Sequence, residues 1–138
     1  MADRQATRIT FTNPTALASP PGYSNVVEVQ GGRIIYIAGQ TAIDRAGKLV
    51  GAGDVERQAD QAFANIALAL AAVGCTPGNL VKLTVYIRDM GKLADYRRAR
   101  DRFFATVTPP AAPAITLVEV SKLFADEFLI EIEAVAAA

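Results

Sequence analysis

The chain has 138 residues, 51% of them hydrophobic, with 14 basic and 14 acidic side chains and no formal net charge. That is the size of one domain with enough apolar material for a core, and it lacks the basic excess that draws a protein to a nucleic acid backbone. There is no histidine and a single cysteine, Cys75, which excludes histidine-activated nucleophiles, histidine-bearing metal sites and an internal disulfide.

From the N-terminus, Met1 to Gln5 carries Asp3 and Arg4 with no apolar run behind them, so no secretory signal is expected. A short strand is expected at Arg8 to Phe11, then a loop from Asn13 to Tyr23 that holds three prolines and a glycine. Val26–Gln30 and Arg33–Ala38 are β-rich runs separated by Gly31 and Gly32, which predicts a hairpin. Asp44 to Gly47 reads as a polar turn. Asp54 can cap a following helix whose apolar stripe is Val55, Ala59, Ala62, Phe63, Ile66, Leu70 and Val73, ended by Gly74.

Polar residues Asp60, Gln61 and Asn65 interrupt that helix, so it cannot serve as a membrane span, and the protein reads as cytoplasmic. After the turn Thr76-Pro77-Gly78, Val81 to Ile87 alternates as a half-buried strand does. A second helix is expected over Leu93–Val107, burying Leu93, Tyr96, Phe103, Phe104 and Val107 and stopped by Pro109-Pro110. Strands at Ala114–Val120 and Glu127–Ala136 close the chain. The order β-β-α-β-α-β-β predicts an α+β two-layer sandwich, with the sheet face away from the helices buried against other subunits. Residues 1–12 read as an N-terminal tail with a short strand, and 13–138 as one domain.

The run Pro113-Ala114-Ile115-Thr116-Leu117-Val118-Glu119-Val120, followed by Leu123 and then Ile130-Glu131-Ile132-Glu133-Ala134, resembles the C-terminal signature of the RidA/YjgF family, also labelled the L-PSP endoribonuclease family. In the same order stand Gly22-Tyr23-Ser24, Tyr36-Ile37-Ala38-Gly39-Gln40, Gln58, Asn65, Gly74 and Val81 to Asp89. The resemblance implies a chorismate-mutase-like fold and a homotrimer with clefts between subunits. It also implies hydrolysis of reactive enamines and imines, such as 2-aminoacrylate, to a keto acid and ammonia without a cofactor. In that signature an arginine grips the substrate carboxylate and the first glutamate of the final motif positions or activates water. Here the arginine position is Ile115 and the glutamate is Glu131. The family's serine before Gly-Gln is Ala38, its cysteine two places past the arginine is Leu117, and its helix asparagine is Arg97, whereas Tyr23 is kept.

Glu131 is therefore the candidate catalytic group, with Tyr23, Ala38, Gly39, Arg97, Ile115 and Leu117 as ligand-binding candidates and no metal site. Gly39 would offer an open backbone N–H to a ligand oxygen. A glutamate beside Ile115 and Leu117 would sit in apolar surroundings, where it could act as an acid as well as a base. Arg97, Arg98, Arg100 and Arg102, among Asp95 and Asp101, read as a surface charge pattern from which Arg97 alone is a candidate for the cleft. The function expected is action on a small enamine, imine or related unsaturated metabolite in an intersubunit cleft, other than the usual 2-aminoacrylate. The alternatives are a non-catalytic trimer that binds a small molecule or a protein, and an endoribonuclease. Neutral charge and the lack of histidine weigh against ribonuclease chemistry, the lack of basic excess against a nucleic acid partner, and the interrupted apolar stretch from Ala59 to Val73 against a membrane one.

Overall fold

The computed structural model describes residues 6–138. The expected absence of a secretory signal at residues 1–5 lies outside the described residues. Among the described residues six strands and two α-helices follow the expected order: β1 Arg8–Thr12, β2 Val26–Gln30, β3 Ile34–Gln40, α1 Val55–Ala72, β4 Leu80–Ile87, α2 Leu93–Phe104, β5 Ala114–Glu119 and β6 Ile130–Ala137. Among the described residues no helix is long and apolar enough to cross a membrane.

Four strands form one sheet in the order β3-β6-β4-β5, with β6 antiparallel to both its neighbours and β4 parallel to β5. Strand pairing fixes which side chains share a face. Leu83, Val85 and Ile87 of β4 lie beside Ala134, Ile132 and Ile130 of β6, and all six are buried. On this face α1 lays Ala59, Ala62, Phe63, Ile66 and Leu70, and α2 adds Tyr96 and Phe104. The Phe63 ring stacks on Phe103 at 4.6 Å between centroids, joining the two helices. Asp54 caps α1 by accepting from the Arg57 N–H at 3.0 Å. Gly74 closes the helix in the left-handed region, at φ +75°.

The predicted hairpin is not formed. Gly31 and Gly32 adopt the positive φ angles a tight turn demands, +72° and +75°, but β2 pairs with β1 in a separate two-stranded ribbon. Longer-range partners claim β3 instead. Arg33 exchanges both backbone hydrogen bonds with Ala138, at 2.7 and 3.1 Å, which starts β3 in register on β6. Gly32 is packed so closely on Thr7 and the Ala138 carbonyl that no side chain would fit there.

Two other boundaries differ from expectation by three residues. The second helix stops at Phe104, where Thr106 turns its hydroxyl back onto the Phe103 carbonyl at 2.7 Å and leaves Val107 outside. The last strand begins at Ile130 rather than Glu127 because Gln58 draws the approach away. This fully buried amide donates to the Gly51 and Glu127 carbonyls at 3.1 and 3.0 Å and accepts from the Leu129 N–H at 2.9 Å.

Candidate functional site

The site candidates fall into two groups on opposite faces of the sheet. On the face away from the helices, β3 carries a bulge: Ile37 pairs with Ala134 and Gln40 with Ile132, three steps against two. The extra residue leaves Ala38 and Gly39 exposed on this open face. Glu131 projects from β6 onto the same face and lies so close against Gly39 that a side chain there would collide with its carboxylate. Glycine at 39 thus makes room for Glu131.

Next along this face Glu133 accepts from the Tyr86 hydroxyl at 2.9 Å. The Tyr86 pKa is raised by that hydrogen bond first, then by burial and by the charges of Glu133 and Glu131, so the phenol keeps its proton. Tyr36, 82% exposed, Lys82, Thr84 and Val135 border Ala38 and Glu133 around an open depression of about 530 Å³.

The second group lies on the helix side, at the β5 edge. Ile115 and Leu117 pair in register with the buried Leu83 and Val85, so they share the core-facing side. With Tyr23, Leu93, Tyr96, Arg97 and Arg100 they line a cavity of about 200 Å³. Tyr23 is brought there by its neighbours: Ser24 donates from its backbone N–H to the Pro113 carbonyl at 3.2 Å and from its hydroxyl to Ala112.

The expectation that Glu131 stands beside Ile115 and Leu117 is thus corrected. Within one chain the sheet lies between them, and the neighbours of Glu131 are Gly39 and, across the strand pair, Tyr86. The surface reading of the α2 arginines also needs correcting. Arg98 pairs with Glu56 and Asp95, and Arg102 reaches Asp60 at 2.9 Å, as expected of exposed pairs. Arg97 lines the cavity, whereas Arg100 is buried, its guanidinium 5.9 Å from the Tyr96 ring centroid.

Sequence reasoning missed Arg100 and the Tyr96 hydroxyl. A signal was present, since Leu93, Tyr96, Arg100 and Phe104 follow helical spacing and put a charge in the buried stripe. Among the described residues the buried Tyr96 hydroxyl finds no hydrogen-bond partner. Burial is the main cause that pushes its pKa up to about 12, against an opposing pull from Arg100. Among the described residues no cluster of histidine, cysteine, aspartate or glutamate could hold a metal ion.

Comparison with known proteins gives a consistent pattern. Residues 13–138 match the family model described as Endoribonuclease L-PSP. A RutC family protein of Pyrococcus horikoshii is 38% identical over 109 residues, covering 78% of this chain and 82% of its own. The mouse 2-iminobutanoate/2-iminopropanoate deaminase is 37% identical over 105 residues, covering 75% and 74%. Among solved structures, the Rid family protein YyfB of Yersinia pestis superposes with a TM-score of 0.83 at 32% identity, over 94% of this chain and 98% of that one.

Proposed function

Because this chain belongs to the Endoribonuclease L-PSP family, the RidA/YjgF family, we propose that it acts as a homotrimer whose ligand sites are completed between neighbouring subunits. One subunit gives the wall of Tyr23, Arg97, Ile115 and Leu117, and the next gives Glu131 with Ala38 and Gly39. The observation that carries this reading is the opposition of the two groups across one sheet: a single chain cannot bring them to one ligand, but two chains can. The open face around Tyr36, Val118 and Val135 supplies apolar surface for such a contact.

The reaction is hydrolytic deamination or tautomerisation of a small enamine, imine or related unsaturated compound. In hydrolysis the Glu131 carboxylate takes a proton from water as the oxygen attacks the imine carbon. It returns that proton to the nitrogen, and collapse of the adduct gives a carbonyl and ammonia. The name of the mouse relative supports this chemistry for the family.

Ile115 stands where the family resemblance expects an arginine, so the substrate differs from the three-carbon imino acids. A buried guanidinium–carboxylate contact is worth about 2–5 kcal/mol on truncation, so its absence should slow hydrolysis of 2-iminopropanoate by about 30-fold to several thousand-fold. The test is semicarbazide trapping of that imine, generated in situ, with an arginine-bearing relative as control. Ile115→Arg combined with Ala38→Ser should recover part of the rate. Activity in the unmutated protein equal to the control would overturn the substrate assignment. The apolar pair Ile115 and Leu117 favours one other reading, a trimer that holds a small apolar metabolite without turnover; under it, Ile115→Arg would gain no activity.

A further inference from the structure

Arg100 is a charge placed where the packing of α2 calls for an apolar residue. Its side chain is 10% exposed, and its Nε and Nη2 meet Asp101 Oδ1 at 3.1 and 3.0 Å. Asp101, at 69% exposure, is largely in water and compensates a buried cation weakly. Nη1 makes no hydrogen bond to another residue among the described residues and is not fully enclosed. Gly22 seals the guanidinium from behind: a Cβ on that glycine would stand 2.5 Å from Nη2. Beside Arg100 the buried Tyr96 hydroxyl also lacks an acceptor. Arg100 therefore stands on the helix wall of the cavity whose strand wall is Ile115 and Leu117, with the enclosed Tyr96 hydroxyl beside it.

We propose that Arg100, with Arg97 lining the same cavity, is the carboxylate anchor, and that the ligand is an acid whose apolar arm lies on Ile115 and Leu117. This rests on the reading above that the cavity is the ligand site. A carboxylate entering the cavity accepts from Nη1 and offsets the buried positive charge. The anion is then held by α2 rather than by β5. A ligand must reach from one wall to the other, so a three-carbon acid leaves the apolar pair uncovered.

The experiment is a titration of the full-length protein with 4-methylpentanoate, 4-methylpentanamide and propanoate, followed on the methyl resonances of Ile115 and Leu117. The branched acid should shift both residues and bind at least about tenfold more tightly than its amide or propanoate. Arg100→Met should remove that preference while leaving amide binding in place. Arg100→Lys, which keeps the charge without the fork, should lose part of it. Arg102→Met, on the surface of the same helix, should bind as the unmutated protein does. If Arg100→Met does not fold, Arg100→Lys decides the matter. Equal binding of acid and amide, or undiminished acid binding in either Arg100 variant, would overturn the anchor while methyl shifts kept the ligand site. No shift at Ile115 or Leu117 with any of the three would overturn both.

Discussion

Gln58 is the buried amide that holds the approach to β6, and so indirectly the height at which Glu131 leaves the sheet. Its replacement by leucine preserves bulk but strips hydrogen bonds from the Gly51 and Glu127 carbonyls and the Leu129 N–H. A buried polar group left unpaired costs about 1–3 kcal/mol. The two carbonyls have lone pairs that can reach other donors as the loop relaxes, so the sum falls short of three full penalties. Gln58→Leu should cost about 2–4 kcal/mol, which for a chain of this length lowers the melting temperature by roughly 8–16 °C. Gln58→Glu should cost at least as much, because it turns an oxygen toward two carbonyl oxygens. Thermal and urea unfolding at fixed protein concentration, with hydrogen exchange at the Leu129 amide, measure the effect. A loss below about 0.5 kcal/mol for both variants would refute the assignment of Gln58 as the peg for this segment.

Tyr96 should govern part of the alkaline stability. Its pKa is raised from 10.0 to about 12 in the folded protein, so the stability it contributes is fully present below pH 10 and is lost as pH rises through about 12. The difference in unfolding free energy between the unmutated protein and Tyr96→Phe should change by roughly 2–3 kcal/mol across that window; a pH-independent difference would count against the burial of this phenol. RNA should not be a substrate, given zero formal charge and no histidine. Degradation of labelled RNA that scales with purified protein and disappears in Glu131→Ala would contradict this.

Much of the framework was legible in the sequence. Asp54, the stripe from Val55 to Leu70 and Gly74 together bound α1, because capping and helical periodicity are local properties. The alternation of Val81 to Ile87 likewise gave β4. Strand pairing was not local: Gly31 and Gly32 have the turn geometry the sequence implies, yet Arg33 finds Ala138 from the far end of the chain, and β2 turns to β1. The same limit separated Glu131 from Ile115. Alternation within a strand says which residues share a face of that strand, but the registers Leu83 with Ile115 and Tyr86 with Glu131 decide that the two faces are opposite. Arg100 was hidden for another reason. Four arginines among two aspartates look like one solvated helix surface, and only the packing of α2 against β5 and Gly22 separates the paired exteriors, Arg98 and Arg102, from the two that line the cavity.

The proposed site exists only where two chains meet, so the mass of the protein in solution tests it most directly. Sedimentation equilibrium at micromolar concentration should give three times the 14.6 kDa of the chain. A single-chain mass under those conditions would leave Glu131 on one face of a sheet and Ile115 and Leu117 on the other, with nothing to join them, and would contradict the shared site.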